Sequence, residues 1–218
     1  MKKKHFGFTL AEVLITLVII GVIAALTVPA LIQNTQKQEY VSALKKAYST
    51  LSQATQAIMA EEGSPKGEDG WASSTETVFQ MLKKYLSNIK ECGQDSGCFD
   101  QNNKEGKYKF LNGGINSANW DTASNARKFI MADGMQVMIW SSSSSCESDF
   151  YGSKKVCTSI FVDLNGEKKP NTEGRDVFLF VLKENGLFPA GCDVENSCNS
   201  TAGRSCACKV IQENAMNY

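Results

Sequence analysis

Residues 13–32 run for twenty positions without a charge, and residues 7–11 ahead of them are uncharged too. Twenty helical residues cover about 30 Å, the thickness of a bilayer's hydrocarbon core. The pattern predicts a transmembrane helix over residues 8–32. A polar stretch, QNTQKQE, follows. Apolar positions then return at Val41, Leu44, Ala47, Tyr48, Leu51, Ala54, Thr55 and Ile58. Steps of three and four put them on one helical stripe, so residues 33–62 read as an amphipathic continuation of the same helix. Glu61, Glu62 and Gly63 end it, and Pro65 enforces the stop. Residues 8–62 would extend about 80 Å if fully helical. Pro29 lacks an N–H and clashes with the carbonyl of Ala25, which predicts a kink or local melting there.

Beyond the linker SPKGEDGWASS, Ser73 with Glu76 reads as a capping box. A second helix is expected over residues 75–90, with Val78, Phe79, Leu82, Tyr85, Leu86 and Ile89 on one face. The period then changes. KYKFLN is a short strand candidate. In FIMADGMQVMIW, Asp133-Gly134 stands between two apolar arms as a hairpin turn does. VCTSIFVDL and DVFLFVL are further strands, and the Cys-, Asn- and Ser-rich stretch after Gly191 reads as a stapled loop region. The expected fold class is α+β: a long N-terminal helix, its first half transmembrane, packed on an antiparallel sheet of about four strands. No internal repeat is evident.

Lys+Arg and Asp+Glu both total 23 in 218 residues, so no basic excess points to a nucleic-acid partner. Lys2, Lys3 and Lys4 precede the apolar segment, which predicts a cytoplasmic N-terminus and a translocated C-terminal region. All eight cysteines (Cys92, Cys98, Cys146, Cys157, Cys192, Cys198, Cys206 and Cys208) lie on the translocated side, where disulfides persist. A metal site is the rival reading. The spacing in CACK is not that of a CxxC knuckle, and the only histidine is His5. Eight cysteines allow about 105 pairings. The local loops Cys92–Cys98 and Cys146–Cys157 are candidates, with the last four pairing among themselves.

Glu12 is the anomaly in the apolar segment. A carboxylate in the bilayer costs about 2.5–3.5 kcal/mol on insertion scales, and somewhat less near an interface. It calls for a partner. The run MKKKHFGFTLAEVLITLVIIGVIAALTVP resembles the type IV pilin-like family, which includes the type II secretion pseudopilins. A short basic leader ends in Gly7, and Phe8, Thr9, Leu10, Ala11 and Glu12 follow in register. The resemblance implies that a prepilin peptidase cuts between Gly7 and Phe8 and methylates the new N-terminus at Phe8. It places Glu12 at the family's assembly glutamate, and Gly21 and Pro29 at its helix-loosening positions. It also implies a pilin-like fold, with residues 1–7 as leader, 8–32 as transmembrane and assembly helix, and 63–218 as an extracytoplasmic disulfide-containing region. Cleavage would create an α-ammonium at Phe8, one helical turn from Glu12, able to pair within the chain or with a neighbouring subunit. It would leave 20 basic against 23 acidic side chains and no histidine.

In VDLNGEKKPNTEGRD, the residues Asp163, Asn165, Glu167 and Asp176 offer oxygens to a calcium ion, and the family resemblance raises that reading. The glycine at the fourth position argues against an EF-hand. The competing reading is a strand leaving through an Asn-Gly turn into a structural loop, a phrase also similar to pilin-like proteins. No enzyme is expected: no histidine would serve a nucleophile in the processed chain, and no GK[ST] phosphate loop is present. The expected protein is a structural subunit of a type IV pilus or type II secretion pseudopilus, anchored in the cytoplasmic membrane. Its expected partners are the prepilin peptidase, other pilin or pseudopilin subunits, the membrane and exported protein substrates. No cofactor is expected beyond calcium. The alternative is a membrane-anchored or secreted extracytoplasmic binding domain with an ordinary signal or anchor.

Overall fold

The computed structural model describes residues 7, 9–86, 90–99, 108–198 and 201–218. Two compact units divide the chain, residues 1–39 and 40–218. Helix α1 (Leu10–Glu62) contributes to both. In the first unit every described residue is exposed, its apolar residues included, and the helix is long and apolar enough to cross a membrane. It runs unbroken through Pro29. The local melting expected there is absent, because a proline removes one intrahelical bond while its own φ stays helical.

In the second unit the α1 stripe is buried at Val41, Leu44, Ala47, Leu51, Ala54, Thr55 and Ile58. A side chain of Leu or Ile size buried this way contributes roughly 1.5–3 kcal/mol. A 3-10 turn (Trp71–Ser73) leads into α2 (Thr75–Tyr85). The cap of α2 is Ser74, not Ser73: its hydroxyl accepts from Thr77 N at 3.1 Å, while Glu76 in the first turn pairs with Arg127. The helix starts at the expected Thr75, and only the cap differs by one residue. It stops at Tyr85, short of the expected residue 90, since Leu86 is already extended. Ile89 lies outside the described residues.

The main sheet has six strands rather than about four, all antiparallel to their neighbours, in the order β1-β2-β3-β6-β7-β8. They are β1 (Lys90–Gly93), β2 (Arg127–Ile130), β3 (Gln136–Ser142), β6 (Thr158–Asp163), β7 (Val177–Lys183) and β8 (Gly186–Pro189). The strands β4 (Ser148–Phe150) and β5 (Ser153–Val156) form a separate ribbon. The β2–β3 hairpin closes at Asp133-Gly134, where Gly134 has φ +88° and donates to Met131 O at 2.9 Å. The expected strand KYKFLN is absent. Lys109 makes only isolated bridges to Ile115 and Thr172, and Lys107 lies outside the described residues. The region after Gly191 is not all loop, since α3 (Ala207–Glu213) forms within it.

Successive residues of a strand face opposite sides. Val137, Ile160, Val162, Phe178 and Phe180 therefore pack with α1 and α2, while Met138, Phe161, Leu179 and Val181 join a second core with Trp120, Tyr108 and Phe99. The strands β6 and β7 are buried on both faces, which is why they read as unbroken apolar runs. The second core lies on the face away from the helix, under irregular segments.

Candidate functional site: the N-terminal segment and the loops that hold the sheet

Thr9 stands just before α1, and Glu12 is in its first turn. Thr9 N and Thr9 Oγ1 both donate to Glu12 Oε2, at 2.8 and 2.7 Å, and Glu12 N donates to Thr9 Oγ1 at 3.3 Å. This is a reciprocal capping box. It satisfies donors that a helix start leaves open and sets a carboxylate at the positive end of the helix dipole. Both bonds that Glu12 accepts end on Oε2, so Oε1 stays outside the box. The T-x-x-E spacing was the available signal for this bond, and it is local enough to be read from sequence alone. Phe8 lies outside the described residues, as do Lys2–Lys4 and His5. Gly7 is exposed, with no atom of the described residues within 4 Å of where a Cβ would stand. Gly21 is equally bare on an exposed helix face.

Of the residues proposed for calcium, Asp163, Asn165 and Asp176 come together: Asp176 lies close enough to act on the charge of Asp163, and Asn165 bonds the Asp176 side chain. Asp163 is fully buried and accepts from Tyr108 Oη at 2.7 Å and Asn165 N at 3.2 Å. Burial pushes its carboxyl well above the ordinary carboxylate range. Asp176, also fully buried, accepts from Thr172 N at 2.6 Å and Asn171 N at 2.8 Å, and burial pushes it up to about 6. Glu167 is exposed. Among the described residues no group of three or more His, Cys, Asp or Glu is placed to hold a metal ion. The carboxylates of Asp163 and Asp176 tie the loop to its own backbone and to Tyr108.

Two further anchors carried no sequence motif. Glu173 accepts from Arg204 and from Asn116 Nδ2, the latter at 2.7 Å. Asp121 accepts from the backbone N–H groups of Gly97, Cys98 and Phe99, with Oδ1 at 2.8, 3.2 and 2.9 Å. The fully buried Lys128 then donates to the carbonyls of Gln94 and Asp121. Apart from Lys128 and Asp121, seven positions apart, these partners are separated by 22 to 57 positions, beyond the reach of a local pattern. The disulfides are Cys92–Cys98, Cys146–Cys157, Cys192–Cys208 and Cys198–Cys206, leaving no free cysteine.

The capping box and the exposed apolar helix define the class: an α+β protein whose N-terminal helix is long and apolar enough to cross a membrane. Residues 2–28 match the family model of the prokaryotic N-terminal methylation motif. The chain thus carries the prepilin signature of type IV pilins and pseudopilins, the signature of processing by prepilin peptidase. No curated protein and no solved structure matches the chain.

Proposed function

We propose that the chain is a structural subunit of a type IV pilus or, more specifically, of a type II secretion pseudopilus. It is cut between Gly7 and Phe8, methylated at Phe8 and assembled through its N-terminal helix. The observation that carries this reading is the methylation motif over residues 2–28, laid on the part of α1 whose described apolar residues, Leu10 to Ile32, are all exposed. A lone anchor needs no carboxylate at its first turn. A bundle of such helices can set each Glu12 against the Phe8 ammonium of a neighbour, and Gly21 lets backbones approach closely. The subunit sits in the cytoplasmic membrane with its N-terminus inside until it enters the filament. Residues 63–218 are extracytoplasmic, in an oxidising compartment where the four disulfides persist. The loop over residues 162–176 supports the pseudopilus over other filaments, and exported proteins and other subunits are the partners it would meet.

The test is the mass and N-terminal sequence of the mature protein from cells with and without prepilin peptidase. The expected result is an N-methylated Phe8 in the first and an intact leader in the second. Cleavage after Ala25 or Ala30, or a leader retained in both, would return the chain to the alternative of an ordinary signal or anchor.

A further inference from the structure

A cleft of about 320 Å³ opens on the sheet face away from α1, within residues 40–218. That is the small end of ordinary ligand pockets, roughly 300–1,000 Å³. Its floor is aromatic: Trp120 and Phe161 lie 4.8 Å apart between ring centroids. Its wall is Phe150 and Tyr151, edge to face at 4.5 Å, and Tyr151 remains 39% exposed. Trp140 adds a further ring to the lining. Arg204 stands among them, 4.8 Å from the Tyr151 ring and 5.2 Å from that of Phe110.

The charge and hydrogen bonds of Arg204 narrow the ligand. Glu173, almost fully buried, takes its Nε and Nη2, and Tyr151 Oη takes Nη1. The pair is neutral, so the cleft gives no net attraction to a phosphate or carboxylate. A ligand cation is disfavoured as well, because the guanidinium already stands over the rings. A purely apolar ligand would desolvate the polar groups without bonding them. Among the described residues three of Arg204's five N–H groups are engaged, which leaves one on each Nη. Among the described residues the Asn116 amide gives one of its two N–H groups, to Glu173. Partly exposed rings at Trp140, Phe150 and Tyr151, beside these N–H groups, suit a molecule that is flat and apolar on one face and carries adjacent oxygens on its rim.

We propose that this cleft binds a neutral sugar ring, as part of a polysaccharide that the extracytoplasmic region meets. The ring's C–H face lies on the aromatic side chains, and neighbouring hydroxyls accept from Arg204. The inference does not depend on the filament reading, since an anchored subunit and a filament subunit would present the same cleft.

The test uses the full-length mature protein in a zwitterionic detergent that carries no sugar of its own. Neutral glucan, xylan and chitin oligosaccharides are titrated, with binding read by tryptophan fluorescence and by saturation-transfer NMR. A polyproline peptide and oligothymidine serve as rival occupants of an aromatic groove. At least one oligosaccharide is expected to bind. Tyr151→Ala and Trp140→Ala should each weaken it roughly tenfold or more. Tyr151→Phe, which keeps the ring, should stay within about threefold. Unchanged mobility without reductant and an unchanged circular-dichroism spectrum establish that each variant is folded. The proposal is overturned if no oligosaccharide binds at millimolar concentration, if folded Tyr151→Ala and Trp140→Ala bind as well as wild type, or if only the peptide or the oligonucleotide binds.

Discussion

Glu12 accepts two hydrogen bonds from Thr9 and returns one, so the carboxylate that looks stranded in an apolar helix is held by the residue three positions before it. Capping and charge pairing are separable. Glu12→Gln keeps an oxygen acceptor for Thr9 but cannot neutralise an ammonium. Glu12→Ala loses both. We expect both variants to be cleaved at Gly7 and both to be depleted from filaments, as read by mass spectrometry and by the sheared fraction. A Glu12→Gln protein that assembles normally would make the capping box the whole role of this residue.

Much of this was legible because it is local. The apolar stripe from Val41 to Ile58, the Asp133-Gly134 turn and the runs TSIFVD and VFLFVLK each announce themselves within a dozen residues. The strands KECG, SDF, SKKV and GLFP did not. They are three or four residues long, and β1, β4 and β5 alternate poorly in burial. They exist through pairing with a neighbour rather than through their own pattern. Helix α3 was hidden among cysteines, and its place depends on bridges such as Cys192–Cys208. The prepilin segment was readable because a peptidase must recognise it as linear sequence. The cleft beside Arg204 was not, since its lining runs from Phe110 to Arg204 and is gathered only by the fold.

The pairing of the last four cysteines gives a second expectation. Cys198–Cys206 lies inside the loop closed by Cys192–Cys208. Peptide mapping without reductant should find these two links and no Cys192–Cys198 link. Replacing Cys192 and Cys208 together by Ser opens a 16-residue separation, which corresponds to about 3 kcal/mol of lost loop constraint. A lowered melting temperature with the other three bridges intact is the expected outcome, and an unchanged one would mean that this bridge adds nothing to stability.

Gly203 and Gly174 form a close backbone contact behind the Glu173–Arg204 pair. A Cβ on Gly203 would stand 2.2 Å from Glu173 O, at φ +80°. Gly113 has a similar φ of +86° but open space around it. Gly113→Ala should therefore show conformational strain alone, roughly 1–2 kcal/mol. Gly203→Ala should add the displacement of a loop and exceed it by at least about 1 kcal/mol. Thermal unfolding of the two variants side by side decides the matter, and equal losses would remove the steric argument.

Asp176 gives the pH dependence. Its carboxyl is pushed from an ordinary 3.8 up to about 6, chiefly by burial, against the backbone N–H bonds from Thr172 and Asn171 that favour the charge. Between those two values the folded chain holds a proton that the unfolded chain has released. Stability from this group is therefore fully present below the unfolded value and is lost as pH rises through about 6. The shift corresponds to on the order of 2–3 kcal/mol. Burial raises Asp163 and Glu173 in the same direction, so one substitution reduces the effect without abolishing it. Asp176→Asn keeps one acceptor oxygen and does not titrate. The wild type should therefore gain stability relative to Asp176→Asn on going from about pH 7.5 to about pH 5. Thermal unfolding across that range, followed by near-ultraviolet circular dichroism, measures the difference. Parallel curves for the two proteins would show that Asp176 is ionised in the folded state throughout, and that its backbone bonds outweigh its burial.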